Sequence, residues 1–177
     1  MSNFFLILIT AIGLSMDTFS LSILYGTVNI NKNKAIKLST MVGIFHFIMP
    51  LIGVNIGNIV LDFLIFDVDT IEGLIFLAIG LQMLLSINKE ENIKSLTNIF
   101  SFLIFAFTVS IDSLIIGIGL KAITENFLLS SLVFMIISTI FTFLGLATGK
   151  KLSEKFGKIS TIIGICILIV LSLHYLI

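Results

Sequence analysis

The sequence has no arginine, no tryptophan, a single cysteine and a single proline, and it has few charged residues of either sign. Charged residues make up 11% of its 177 residues and hydrophobic residues 58%, whereas a soluble domain usually has about 25% charged residues. A soluble chain of this length leaves much of its surface in water and cannot bury so much apolar area. The scarcity of charge therefore excludes a soluble enzyme, a disordered chain and a secreted module. It predicts a protein surrounded by lipid.

The missing residue types exclude further classes of protein. All ten basic residues are lysines, they form no basic block, and the formal net charge is zero, so we expect no nucleic-acid partner. The single Cys166 cannot form an intramolecular disulfide or a zinc site built on cysteines. Because the sequence contains no Walker motif, we do not expect ATP hydrolysis.

Six charge-poor segments are long enough to cross a bilayer, whose hydrocarbon core requires about 20 apolar helical residues. They are residues 1–31, 38–61, 70–88, 95–120, 126–149 and 159–177. We therefore predict an all-α membrane protein with six transmembrane helices, forming a single membrane domain over residues 1–177. The first span has no positively charged segment before it and carries an acid, so we do not expect it to be a cleaved signal peptide.

The positions of the lysines predict the orientation in the membrane. Nine of the ten lysines lie in the first, third and fifth connections between the spans, and Lys121 in the fourth connection is the tenth. Lysine-rich connections face the cytoplasm. We therefore expect both termini on the extracytoplasmic side.

Two short motifs recur in the two halves of the chain. Ser15-Met16-Asp17-Thr18 is matched 95 residues later by Ser110-Ile111-Asp112-Ser113. Gly53-x-x-x-Gly57 is matched 92 residues later by Gly145-x-x-x-Gly149. The motifs agree in order and in spacing, although apolar helices also resemble one another by chance.

The recurrence predicts an internal repeat. Repeat one covers residues 1–88, a cytoplasmic loop covers residues 89–94, and repeat two covers residues 95–177. Because each repeat has an odd number of spans, the two halves cross the membrane in opposite senses. Such inverted repeats are common in transporters whose binding site lies near the middle of the bilayer.

Asp17 and Asp112 are the two acids that lie deep within predicted spans. An aspartate at the centre of a bilayer costs about 2.5–3.5 kcal/mol on insertion scales, so it marks a functional site by default. No lysine lies within the predicted spans, and two neighbouring carboxylates repel each other unless a cation or protons bind. We therefore predict a cation or proton site. The alternative is a pair of aspartates that hydrogen-bond between helices as packing residues.

Other polar residues complete the predicted site. Hydroxyl groups flank both aspartates and offer oxygen ligands to a hard cation. His46 lies in the second span on a face of small residues, and it is either a further ligand or a packing residue. Pro50 in the same span can free a backbone carbonyl. The candidate metal ligands are Asp17, Asp112, His46, Ser15, Thr18, Ser110 and Ser113.

Three segments carry further information when taken together, namely residues 12–20, residues 43–53 and residues 109–113 with the glycines that follow. In this order they resemble the motifs of the MntP family, the bacterial manganese efflux pumps of the LysE transporter superfamily. The resemblance covers nearly the whole chain. It implies manganese(II) export, a bacterial inner-membrane location, and functional roles for Asp17 and Asp112. Some members of the family carry an acid at the position of His46, and the sporulation membrane protein YtaF shares the motifs.

Export of a divalent ion from a negative interior works against about 4.6 kcal/mol per 100 mV. Without an ATPase motif, proton antiport is the simplest energy source, with two carboxylates that bind either one Mn²⁺ or two protons. We expect manganese(II), protons and the bilayer as partners and no cofactor, and the sequence does not indicate an oligomeric state. The alternatives are transport of another divalent ion such as iron(II), transport of a small solute, or a non-transporting sporulation-type protein. A membrane-embedded enzyme is not expected, because the spans hold too few catalytic side chains.

Overall fold

The computed structural model describes residues 3–26, 30–61, 68–86, 99–149 and 154–176. Within these ranges all the regular structure is helical. The helices are α1 (Asn3–Gly26), α2 (Lys32–Leu61), α3 (Val68–Ser86), α4 (Ile99–Thr108), α5 (Ile111–Ile123), α6 (Phe127–Thr148) and α7 (Glu154–Leu176). The prediction of an all-α protein is confirmed for the described part of the chain.

Among the described residues, four segments are long and apolar enough to cross a membrane. They are Phe4–Gly26, Lys32–Gly57, Ile99–Leu120 and Phe127–Thr148, and Ile162–His174 in α7 is a shorter apolar helix. Many large hydrophobic side chains on these helices are exposed, as expected where acyl chains replace water. The chain is a multi-pass membrane protein. The other two predicted spans correspond to α3 and α7, and the count of six spans stays a prediction.

The fourth predicted span is interrupted at one of the two recurring motifs. α4 ends at Thr108 and α5 begins at Ile111, with Val109 and Ser110 in a turn. The Ser110 N–H donates to the Phe107 carbonyl, three residues earlier, at 3.1 Å, which is the tighter 3₁₀ pattern. The matching motif in α1 is continuous helix. The two halves therefore differ in backbone conformation at equivalent positions.

The first connection is shorter than predicted. We expected the second helix to begin near residue 38, but α2 begins at Lys32, so Lys34 and Lys37 are exposed residues of its first turns. An apolar span can continue as a helix beyond the hydrocarbon core, where charged side chains are solvated. The predicted loop 89–94 lies outside the described residues, as do Lys89, Lys94, Lys150 and Lys151.

Helices of the first half pack mainly against helices of the second half. In the described part of the chain, α1 packs on α5, α6 and α7, α2 packs on α4, α5 and α6, and α3 packs on α5 and α7. Each helix of the first half has a counterpart in the second half: α4–α5 for α1, α6 for α2 and α7 for α3. When every helix is replaced by its counterpart, the same pairs of contacting helices result. The halves are therefore interleaved rather than placed side by side.

Glycines permit two matching close approaches between helices. At each of four glycines, an added Cβ would lie within 3.0 Å of a backbone carbonyl oxygen on the neighbouring helix. The pairs are Gly53 with Leu114, Gly57 with Ile118, Gly145 with Phe19 and Gly149 with Ile23. The glycines of the two crossings are separated by 92 residues and their partners by 95, the offsets at which the sequence motifs recur. Small residues allow this close backbone contact in lipid.

Buried hydrophobic side chains form two clusters. The α5–α7 cluster includes Leu14, Ile116, Leu120, Ile165 and Leu168. The α2–α4 cluster includes Leu38, Val42, Phe105, Val109 and Leu146.

Candidate cation site

Buried polar side chains lie between the two hydrophobic clusters on α2 and on the interrupted span. In α2, Val42 belongs to the α2–α4 cluster and Val54 to the α5–α7 cluster, and the buried His46 lies between them. In the interrupted span, Val109 and Ile116 belong to different clusters, with residues 110–113 between them.

The same order holds on α1 and α6. On α6, Phe134 and Leu146 belong to different clusters, with the buried Ser138 and Thr142 between them. On α1, Leu14 belongs to the α5–α7 cluster and Leu21 packs against the other, with the recurring motif between them. Four helical segments thus contribute to one polar layer enclosed by apolar side chains on both sides.

His46 is held in this layer by hydrogen bonds at one ring nitrogen. Its Nδ1 lies 2.9 Å from the Val42 carbonyl and 2.9 Å from Ser110 Oγ. The Ser110 hydroxyl donates to the Ala106 carbonyl at 2.6 Å, so its oxygen accepts from His46. Both contacts therefore assign the proton to Nδ1.

The other ring nitrogen of His46 is available for a ligand. With the proton on Nδ1, Nε2 carries a lone pair. The side chain is fully buried, and Nε2 has no hydrogen-bond partner among the described residues. An imidazole with one nitrogen bound to a carbonyl and the other free is the arrangement found in metal-ligating histidines.

Ser15 makes the equivalent contact in the other half of the chain. Its Oγ lies 3.0 Å from Ser138 Oγ on α6. Ser110 follows Ser15 by 95 residues and Ser138 follows His46 by 92, so the two contacts join equivalent positions. The contact of Ser110 with His46 joins a hydroxyl to an imidazole, whereas the contact of Ser15 with Ser138 joins two hydroxyls.

Pro50 adds a second difference between the halves. Proline lacks the N–H that would bond to the carbonyl four residues earlier, which here belongs to His46. At the equivalent position of α6, Thr142 instead donates its hydroxyl to the Ser138 carbonyl at 2.6 Å. The Pro50 backbone itself packs against Gly117, so the proline also contributes to a close helix crossing.

The two aspartates lie on different elements. Asp112 is 7% exposed and lies in the first turn of α5, where the positive end of the helix dipole favours a carboxylate. Asp17 is half-buried on α1. Within the described residues, no group of three or more His, Cys, Asp and Glu side chains lies close enough to hold a metal ion. Asp17, Asp112 and His46 are therefore not gathered into one cluster.

The remaining predicted residues lie in the same layer. The Ser113 hydroxyl donates to the Ser110 carbonyl at 2.7 Å. Thr18 is fully buried, and its hydroxyl has no partner among the described residues. Ser138 is not among the predicted ligands, although the 92-residue offset of the repeat maps it onto His46.

The fold is thus that of a multi-pass helical membrane protein with ionisable side chains buried within its spans, an arrangement typical of ion transporters. Comparison with known families agrees. Residues 29–176 match the family model described as "Putative manganese efflux pump", and the chain belongs to this MntP family.

Relatives with this description come from bacteria and archaea. "Putative manganese efflux pump MntP" of Bacillus velezensis is 31% identical over 175 residues, which cover 96% of this chain and 95% of the relative. The protein of the same name from Methanocorpusculum labreanum is 33% identical over 174 residues, covering 96% and 94%. The one from Methanobrevibacter smithii is 32% identical over 175 residues, covering 96% and 95%. No solved structure matches the chain.

Proposed function

We propose that this chain is a secondary transporter that exports manganese(II) from the cytoplasm. The observation that carries the proposal is its match over nearly its whole length to relatives named as manganese efflux pumps. The enclosed polar layer supports it, because two aspartates and a histidine are costly to bury in lipid without a function.

The proposed architecture has six spans in two inverted repeats. The paired glycine crossings support it, since each recurs at the offsets seen in the sequence. The pattern of helix contacts supports it independently, because it stays the same when each helix is replaced by its counterpart in the other half. In this arrangement one half rocks against the other around a site near the middle of the bilayer.

We propose that the ion is bound by the carboxylates of Asp17 and Asp112, Nε2 of His46 and neighbouring oxygens. The neighbouring oxygens are the hydroxyls of Ser15, Thr18, Ser110 and Ser113. Manganese(II) takes carboxylate, hydroxyl and carbonyl oxygens and accepts an imidazole. Asp17, Asp112 and His46 are not gathered into one cluster in the described conformation. Ion binding would therefore draw α1, α2 and α5 together and stabilise a second conformation in which the ion is bound.

Proton antiport is the proposed energy source. Two carboxylates that release one Mn²⁺ can take up two protons, which keeps the charge of the site constant. With lysine-rich connections in the cytoplasm and both termini outside, metal would enter the site from the cytoplasmic face of the bacterial inner membrane, and protons from the other face.

Metal uptake into everted membrane vesicles tests the proposal. Vesicles with the chain should accumulate Mn²⁺ faster than vesicles with an Asp17→Asn, Asp112→Asn double variant produced at the same level. A panel of Fe²⁺, Mg²⁺, Ca²⁺ and Zn²⁺ measures selectivity. Preferred uptake of another metal would support the alternative of a different divalent substrate, and no uptake of any metal would support a non-transporting role.

A further inference from the structure

The interface between α1 and α6 carries a row of hydroxyl groups. On α6, Ser131, Ser138 and Gly145 recur every seven residues, close to two helical turns, so they share one face. Ser138 and Gly145 both contact α1, through Ser15 and Ser22 respectively. Ser131 therefore lies on the α1-facing side of α6.

The matching row on α1 runs in the same direction. Ser15 and Ser22 are also seven residues apart and meet Ser138 and Gly145 in the same order. Thr18 lies between them on that face. The row thus extends from Ser131 on one side of the Ser15–Ser138 contact to Ser22 on the other.

Three hydroxyls of this row are fully buried and lack hydrogen-bond partners among the described residues, namely those of Thr18, Ser22 and Ser131. A serine or threonine within a helix normally bonds to the carbonyl four residues earlier, as Thr139 does with Met135 at 2.7 Å. Leaving a buried hydroxyl without a partner lowers stability. The three positions therefore call for an explanation other than packing.

The equivalent interface, between α2 and the interrupted span α4–α5, lacks these unpartnered hydroxyls. The counterparts of Thr18 and Ser131 are Ser113 and Ser39, whose hydroxyls donate to the carbonyls of Ser110 at 2.7 Å and Ile36 at 3.0 Å. The counterpart of Ser22 is Gly117, which has no hydroxyl. Close helix packing alone therefore does not require unpartnered hydroxyls at these positions.

We propose that the α1–α6 interface, which is closely packed at Gly145 and Gly149 in the described conformation, opens during transport into the path along which the cation moves between the central site and the two membrane surfaces. The hydroxyl oxygens of Thr18, Ser22 and Ser131 are its successive ligands. This rests on the proposed transport function and names a route that the function alone does not specify. Hydroxyl oxygens suit a hard divalent ion. Because they are uncharged and spaced along the interface, they bind weakly enough to pass the ion on. In the predicted orientation Ser22 serves the cytoplasmic side and Ser131 the outer side.

Variants that lack the hydroxyls distinguish a cation path from an interface that only packs the two helices together. Thr18→Val, Ser22→Ala and Ser131→Ala would be purified, reconstituted in liposomes and assayed for the initial rate of Mn²⁺ flux. We expect each rate to fall about fivefold or more, as expected when one of several weak sites along a path is lost. Thermal unfolding should occur at an unchanged or higher temperature, because an unsatisfied buried hydroxyl is removed. Ser39→Ala, which removes the bonded counterpart of Ser131, should transport at the parent rate.

Thiol accessibility gives a second test in the full-length protein. With Cys166 replaced by alanine, Ser22→Cys and Ser131→Cys should react with a small water-soluble methanethiosulfonate during transport, and Mn²⁺ should slow the reaction. Ser39→Cys should stay unreactive. Parent-level flux in all three hydroxyl-free variants, or unreactive thiols at both positions, would overturn the path. If the path is overturned in this way but Asp17→Asn still abolishes flux in the same assay, the proposed function stands. Absence of Mn²⁺ flux in the parent protein would instead refute the proposed function itself.

Discussion

Ser110 Oγ lies 2.9 Å from Nδ1 of His46, and this contact between α2 and the interrupted span has a counterpart in the other half of the chain. There Ser15 Oγ lies 3.0 Å from Ser138 Oγ. In each half the serine precedes a buried or half-buried aspartate by two residues. The framework of the two halves is therefore alike, while the chemistry at their equivalent positions differs, and the imidazole is present on one side only.

His46 should be the histidine on which transport depends. His46→Ala removes the Nε2 lone pair, and we expect Mn²⁺ flux to fall about 10-fold or more, the scale of losing a group that supports a metal site. His46→Glu should retain part of the flux, because a carboxylate is also a good ligand for manganese. Ile48→Ala, at an exposed position on the same helix, serves as the control. Normal transport by His46→Phe would show that the residue only packs.

Asp17→Asn and Asp112→Asn should each abolish export. Asparagine keeps the volume of the side chain but removes the negative charge that a divalent ion requires. Both variants should insert and unfold at temperatures close to that of the parent. Glu125→Gln, which removes an exposed acid, should transport normally in the same flux assay. Full manganese tolerance in cells that produce either asparagine variant would assign that aspartate to packing instead.

The sequence alone predicted those features of the fold that depend on neighbouring residues in the chain. Charge-poor runs of about 20 residues predicted the helices. The Gly53 and Gly145 motifs, from which the repeat was predicted, lie at helix crossings in the structure. The same local signal failed at Lys34, because charge marks the edge of the hydrocarbon core rather than the end of a helix. The boundary of a span and the boundary of its helix are separate properties.

The interruption at Val109 and Ser110 could not be predicted, because no proline or glycine lies there and the motif around Ser15 has a similar sequence yet remains helical. The choice between the two conformations depends on contacts with other helices, Ser110 with His46 in one half and Ser15 with Ser138 in the other. The contact of Ser110 with His46 likewise depends on how α2 and the interrupted span are placed against each other. Such features require the three-dimensional packing.

Gly53→Ala and Gly145→Ala should destabilise the protein by similar amounts. In both cases the added methyl group meets a backbone carbonyl, that of Leu114 or that of Phe19, and at Gly145 it also meets Cβ of Ser22, so two helices must separate. Overpacking of this kind costs about 1–3 kcal/mol, which thermal unfolding in detergent can measure. Leu144→Ala, at an exposed position beside Gly145, provides the control. A large effect at one glycine and none at the other would contradict the equivalence of the two crossings.

Cysteine labelling from the two sides of the membrane tests the orientation. In a Cys166→Ala background, Lys34→Cys at the start of α2 should react with an impermeant maleimide only from the cytoplasmic side. Glu125→Cys, between α5 and α6, should react only from the outside. Both side chains are exposed, so access is limited by the membrane rather than by burial. Labelling of both cysteines from the same side would contradict the arrangement of spans. Labelling of Lys34→Cys from the outside and of Glu125→Cys from the cytoplasmic side would show that the orientation is reversed.

Proton coupling should appear as a dependence of Mn²⁺ flux on an imposed pH gradient. If two carboxylates exchange one Mn²⁺ for two protons, export from the cytoplasmic side requires protons to enter from the opposite side, and the exchange moves no net charge. In proteoliposomes, a gradient with acid on the side that receives Mn²⁺ should therefore accelerate flux. A protonophore should abolish the acceleration, and addition of Mn²⁺ should move protons in the opposite direction. A membrane potential imposed with valinomycin at equal pH should have little effect, because the exchange is electroneutral. Flux that follows the Mn²⁺ gradient alone and stays undiminished at zero pH gradient would identify a facilitated pathway instead of an antiporter.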